Sequence, residues 1–336
     1  MFSGNLIENT KHSENKFERV IIGAGALGLF LADRILLEYR HSITHIISNS
    51  IHNLPIYIQK QNQKTHFQKF PKFFLSHNLD HIYPNFIEKN IIIYVCLPPQ
   101  FINKSFEYIK IILIHCNSIE NVYLVFLNNG IIHLDHLNEL KNTLNKNIKL
   151  HIIRGIVLGG FNRNILQNKI EIKNTSGNEV YYGFYNNPIH SNIKEILPAY
   201  YFRWNFTDKI LLIEKSKFLI NFILGLYIGK RLLMNSAIYD ILSKHDLKFI
   251  FTNYCKLFPE NLISPHFLER YFNKTIKISS LNTNSLSYAW YHGNTKPIEY
   301  FVANMKEMAY SSNNMEVQEF FVNLIDQQFQ ARKETY

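Results

Sequence analysis

Val20-Ile21-Ile22 runs directly into Gly23-x-Gly25-x-x-Gly28 and on into Leu29-Phe30-Leu31-Ala32. A short apolar strand, a glycine-rich turn and a helical pattern, in that order, predict a strand-turn-helix unit. The first glycine permits the tight turn, the second lets a pyrophosphate approach the backbone, and Gly28 with Ala32 lets the helix pack closely on the sheet. The helix N-terminus then offers its free N–H groups to phosphate. The helix continues through Leu36, and another apolar run follows at Ile43 to Ile47. This context points to dinucleotide binding through Gly23, Ala24, Gly25, Ala26, Leu27 and Gly28. A glycine turn that serves packing alone is the alternative.

The second strand ends near Ser48-Asn49-Ser50, where an NAD site would place an acid on the ribose hydroxyls. No acid stands there. Ser48 and Asn49 suit a 2′-phosphate instead, which favours NADP(H), with Arg40, His52 and Lys60 as candidate cations. An ordinary polar loop fits the same residues. Two further apolar runs, Asn90 to Leu97 and Val122 to Leu127, have the pattern of strands covered on both faces. The first stops at Pro98-Pro99 and the second at Asn128-Asn129-Gly130. Ligands of doubly wound sheets sit at the carboxyl ends of strands, so Leu97 and Asn129 are candidate contacts.

Short alternating runs, Lys169 to Lys173 and Glu179 to Gly183, predict an antiparallel extension of the sheet. From Thr207 onward the patterns are helical. The expected class is therefore α/β: an N-terminal Rossmann-type doubly wound sheet with an antiparallel extension, followed by an all-helical C-terminal domain. Residues 1–16 read as a flexible lead-in, 17–206 as the dinucleotide-binding domain and 207–336 as the helical substrate and catalytic domain.

The net charge of +10 is spread along the 336 residues with no basic block. That argues against a nucleic-acid partner and for anionic small ligands. Three cysteines, Cys96, Cys116 and Cys255, form no Cys-x-x-Cys pair, so no disulfide framework or zinc site is expected. His133 and His136 lack a third ligand nearby, and no metal is assigned. Met1 to Lys16 is too polar for a signal peptide. The most apolar window, Phe218 to Ile228, falls short of the roughly 20 residues that span a bilayer. A cytoplasmic protein without a membrane partner is expected. An apolar face on the C-terminal helices would serve either a homodimer or the domain interface.

From Lys217 to Gly229 nearly every residue is large and apolar, except Lys217, Asn221, Gly225 and Gly229, each four after the last. Residues four apart share a helix face. A helix apolar on its other sides is buried, so the stripe must meet a cleft or a close backbone neighbour. In a cleft, burial lowers the pKa of Lys217 toward the range useful to a general acid. Alternatively Lys217 snorkels from a fraying helix start, Asn221 bonds to backbone and the glycines admit another helix.

Taken together, Gly-Ala-Gly-Ala-Leu-Gly at 23–28, Asn129-Gly130, Lys217-x-x-x-Asn221, Asn284-Ser285 and Ile298-Glu299-Tyr300 resemble the ketopantoate reductases (2-dehydropantoate 2-reductases) over most of the chain. The resemblance implies NADPH-dependent reduction of ketopantoate to pantoate on the route to coenzyme A. It implies Lys217 as general acid, Asn129 holding Lys217 and the nicotinamide end, Asn221 on the substrate hydroxyl side and Ser285 on the carboxylate. Gly225 stands where the family has a second asparagine, Pro98 where it often has a lysine, and Pro297 where it has an acid. Glu299 would supply that acid in a shifted register. Reduction of another 2-oxo acid, or NADP(H) sensing without catalysis, are the alternatives.

Overall fold

The computed structural model describes residues 17–39, 44–48, 56–59, 66–68, 73–75, 89–114, 119–144, 147–185, 193–229, 233–258, 263–280, 282 and 285–330. The lead-in at 1–16, Asn49, the candidate cations Arg40, His52 and Lys60, and Cys116 lie outside them.

The N-terminal part opens with β1 (Phe17–Ile22), α1 (Ala26–Glu38) and β2 (Thr44–Ser48), then β3 (Ile56–Gln59), β4 (His66–Gln68) and β5 (Phe73–Leu75). It continues through β6 (Asn90–Val95), α2 (Ile102–Ile114), β7 (Asn121–Phe126), α3 (Leu134–Thr143) and β8 (Lys149–Val157). Next come β9 (Gly160–Ile165), β10 (Ile170–Ser176), β11 (Glu179–Phe184), α4 (Ile193–Ile196) and β12 (Arg203–Phe206). The main sheet has the order β12-β11-β8-β7-β6-β1-β2-β5. Its strands from β8 to β5 are parallel, and β11 joins β8 antiparallel.

Alternation along the parallel strands explains why both faces are covered. Val20, Ile22, Ile91, Ile93 and Val95 pack with α2 and α3 residues such as Phe106, Ile109 and Leu140. Their neighbours Ile21, Ile92 and Tyr94 point the other way, into a core with Leu29, Phe30 and Ile35 of α1. An unbroken apolar run is the consequence of serving two cores at once.

One expectation needs correction. The Lys169–Lys173 run does not extend the main sheet: β10 pairs parallel with β3 and antiparallel with β9 in a separate sheet of order β4-β3-β10-β9. The reason is its alternation. Ile170 and Ile172 join Ile56 and Ile58 in burying one face against α1, while Glu171 and Lys173 stay on the outer side, as a one-sided sheet requires. The antiparallel extension of the main sheet is made by β11 and by β12, which pairs parallel with β11.

After β12 the described residues form helices: α5 (Ile210–Ile228), α6 (Ile238–Ile241), α7 (Lys244–Cys255), α8 (Pro265–Ile278), α9 (Ser285–Tyr291), α10 (Lys296–Tyr310) and α11 (Met315–Ile325). They share one core centred on α5. Within it the Phe218 ring stacks on Phe301 at 4.9 Å, a contact whose truncation to alanine costs about 3–5 kcal/mol. No helix among the described residues is long and apolar enough to cross a membrane.

Candidate active site

The first glycine of the loop and the third are demanded by packing. Gly23 has φ +111°, and a β carbon there would meet the Cys96 carbonyl carbon at 3.0 Å. A β carbon at Gly28 would collide with the Gly23 carbonyl oxygen. Gly25 differs: its φ of −76° suits any residue, and a β carbon would meet nothing within 4 Å. Neither conformation nor packing requires glycine there, and its absent side chain leaves the backbone open to close approach. Gly25 is also the N-cap of α1, with no side-chain cap and no acid in the first turn, which leaves the helix N–H groups to an anion. The loop lies at the switch point between β1 and β6, where chain order in the sheet reverses. Leu97, just past β6, stands beside the loop, its Cδ2 lying 3.1 Å from where a β carbon of Gly23 would be. Ser48 is buried at the carboxyl end of β2.

A cleft of about 790 Å³ runs from Leu27 of this loop to α5 and is lined by Asn129, Lys217, Asn221 and Ser285. Among the described residues its lining carries two cations, Lys217 and Arg163, and no carboxylate. Such a wall favours anionic ligands.

Lys217 stands two turns inside α5, which begins at Ile210, not at a fraying start. The longer helix follows from Ile210, Leu212 and Ile213, which join the same core. Burial alone pushes the Lys217 ammonium from its ordinary 10.5 down to about 8. One turn on, Asn221 is buried, and its Nδ2 has no hydrogen-bond partner among the described residues. A buried donor in that state calls for a ligand acceptor.

The glycine half of the stripe does the other thing. A β carbon at Gly225 would lie 2.6 Å from Ile298 Cδ1 and 3.0 Å from Leu286 Cδ1, and one at Gly229 would lie 3.0 Å from the Trp290 ring. Both readings of the stripe therefore hold, one for each half: Lys217 and Asn221 face the cleft, and Gly225 and Gly229 admit α9 and α10.

Two placements differ from expectation. No hydrogen bond joins Asn129 to Lys217, although both line the cleft. The Asn128–Gly130 turn is held instead from other elements: Arg154 Nη2 donates to Asn128 O (2.8 Å) and Gly130 O (3.0 Å), and Tyr300 Oη donates to Ile131 O (3.0 Å). Gly130 has φ +97°, and the Tyr300 ring lies where its β carbon would be. Glu299 does not line the cleft. With Pro297 in the first turn of α10, Glu299 falls where its Oε1 accepts from Thr295 Oγ1 at 2.9 Å, so the acid serves the start of its own helix.

Several cleft residues carried no local signal in the sequence. Arg163 on β9 reaches across to donate to Ala24 O of the glycine loop at 3.0 Å. Asn235 is buried with Oδ1 unpartnered, while its Nδ2 bonds to Ser279. Asn282 donates to Ser176 Oγ, 2.5 Å away. Arg154 did leave a trace: it is a lone charge in an apolar stretch, and such a charge is buried only with a partner. Among the described residues no cluster of His, Cys, Asp or Glu could hold a metal. His133 Nε2 instead meets Asn304 Oδ1 at 3.1 Å.

No family model and no curated protein sequence matches the chain. Solved structures do. A 2-dehydropantoate 2-reductase from Methylococcus capsulatus matches at 13% identity and TM-score 0.67, over 95% of this chain and 98% of that one. A dimeric ketopantoate reductase from Staphylococcus aureus matches at 11% identity and TM-score 0.65, over 93% and 99%. The chain has the ketopantoate reductase fold. A D-mandelate dehydrogenase, solved with NADH and anilino(oxo)acetate, is as similar: 13% identity, TM-score 0.67, 94% and 99% coverage. In this chain Ile298 and Leu286 fill the space beside Gly225.

Proposed function

We propose that the protein is an NAD(P)H-dependent 2-oxo acid reductase with Lys217 as general acid, ketopantoate being the preferred substrate and NADPH the preferred cofactor. The observation that carries this reading is the lowered Lys217 ammonium beside the unpartnered Asn221 amide, in a cleft that extends to the glycine loop.

The bound dinucleotide would supply hydride to the carbonyl carbon. The chain's own residues do the rest. Gly25 and the α1 N-terminus accept the phosphates. Addition to the carbonyl develops negative charge on its oxygen, which the Lys217 ammonium both stabilises and neutralises by giving up its proton. A pKa near 8 suits that transfer at neutral pH. Asn221 Nδ2 donates to a substrate oxygen, and Ser285, at the start of α9, is placed for the carboxylate. Residues 17–206 then act as the cofactor domain and 207–336 as the domain that brings the acid. The Staphylococcus aureus protein of this fold is dimeric, and we carry a homodimer over to this chain.

A second reading, reduction of a different 2-oxo acid, draws support from Gly225. Glycine offers no side-chain amide to a substrate hydroxyl, and Ile298 packs where a side chain at 225 would begin. Loss of NADPH absorbance with purified protein, run with ketopantoate, with a panel of other 2-oxo acids and with NADH, separates the readings. NADPH-selective turnover of ketopantoate supports the first, and turnover of another acid alone the second. Dinucleotide binding without turnover on any acid removes both in favour of a sensor.

A further inference from the structure

Arg154 and Glu214 form a buried ion pair outside the cleft, exposed by 1% and 2%. The guanidinium has five N–H groups, and each meets an acceptor. Nε donates to Glu214 Oε1 (2.5 Å), Nη1 to Phe126 O (2.9 Å) and Gly155 O (3.0 Å), and Nη2 to Asn128 O (2.8 Å) and Gly130 O (3.0 Å). The second carboxylate oxygen of Glu214 accepts from Tyr185 Oη at 2.7 Å. Glu214 precedes Lys217 by one helical turn on α5, and the carbonyls of Asn128 and Gly130 flank Asn129. A small recess lined by Arg154, Glu214, Asn129 and Lys217 joins the two sides.

We propose that the Arg154–Glu214–Tyr185 unit is a positioning clamp that fixes the Asn129 turn relative to the Lys217 face of α5. This rests on the reductase reading above. A pair that served stability alone would be replaceable by apolar residues at little loss, because desolvation offsets most of what a buried ion pair contributes. Here the arginine spends four of its five donors on backbone carbonyls of β7, its following turn and β8, and only the fifth on its counter-ion. No apolar substitute can gather those carbonyls. The turn therefore depends on the charge pair for its geometry, and a misplacement of about 1 Å at a reacting group lowers turnover on the order of a hundredfold.

The test is the net-neutral double variant Arg154→Met/Glu214→Leu beside the milder Tyr185→Phe. Readouts are NADPH affinity by fluorescence titration, kcat and KM with the acid that turns over best, and the Lys217 pKa by NMR of its methylated amine. The double variant should keep NADPH affinity within about twofold while kcat falls roughly tenfold to a hundredfold, and the Lys217 pKa should climb back toward 10.5 as water enters the loosened turn. Tyr185→Phe should shift the same two quantities in the same direction by less. Folded variants with wild-type kcat and an unmoved Lys217 pKa would overturn the clamp. Should the double variant not fold, Tyr185→Phe decides alone. If the wild type reduces no 2-oxo acid, the reductase reading fails, while the Lys217 titration still reports on the clamp.

Discussion

The glycine loop at Gly23–Gly28 and the wall at Lys217 reach the same cleft, yet they are built from different materials. The loop is backbone whose close fit is largely local, Gly28 fitting because Gly23, five residues earlier, lies against it, with Arg163 of β9 added from outside. The wall is made of side chains whose geometry is set from far along the chain, Lys217 on α5, Asn129 after β7, and Arg154 and Tyr300 holding the latter from β8 and α10. Local backbone sites survive as readable motifs. Side-chain sites depend on partners that no local pattern announces.

The sharpest break between the two regions comes from the glycines. Gly25→Val should fold as the wild type does, because its side chain enters open space, with Tm within a few degrees as for most unpacked positions, yet it should abolish NADPH binding in a fluorescence titration. Gly28→Val should lose binding and stability together, since its β carbon collides with the Gly23 carbonyl. Wild-type NADPH affinity in Gly25→Val would return the loop to a packing role.

Lys217→Ala breaks the other region. Turnover should fall by on the order of a hundredfold or more, as for a lost general acid, with NADPH affinity unchanged. Equal turnover in the variant takes Lys217 out of the mechanism. The same group sets the pH dependence. Reduction needs the protonated amine, so kcat/KM, which reports the free enzyme, should be level below the Lys217 pKa of about 8 and fall about tenfold per pH unit above it. The sign for stability is opposite. The folded state binds the proton less tightly than the unfolded chain, so the burial cost is fully present below pH 8 and is relieved as pH rises toward 10.5.

These contrasts also measure how much the sequence disclosed. The parallel strands were legible because each serves two cores and reads as an apolar run, and the Lys217–Asn221 spacing was legible because helix periodicity places both on one face. The second sheet was not, since alternation tells that a strand is half-buried and never which sheet it joins. Arg163 and Asn235 were invisible for a related reason: one reaches the glycine loop from β9, the other enters the cleft from beyond α5, and neither stands in a recognisable spacing. Gly225→Asn tests the legible part where it was ambiguous. Restoring the family's amide would force Ile298 and Leu286 aside, and overpacking of this kind costs about 1–3 kcal/mol. Thermal unfolding should show that loss without any fall in substrate KM.

Glu299 gives the smallest expected effect and the cleanest separation of pattern from geometry. Its place in the sequence, two residues past Pro297, suggests an acid for the substrate or for Lys217. In the fold, Pro297 fixes the start of α10, and the Glu299 carboxylate accepts from Thr295 Oγ1 at 2.9 Å. Gln retains an acceptor for that hydroxyl, and the loss of a negative charge in the first helical turn costs about 0.3–1 kcal/mol. Neither kcat nor KM should move by as much as twofold. A Glu299→Gln enzyme whose KM for the 2-oxo acid rises tenfold at unchanged stability would mean that α10 turns its first turn toward the cleft when substrate binds. The acid would then belong to the Lys217 wall after all.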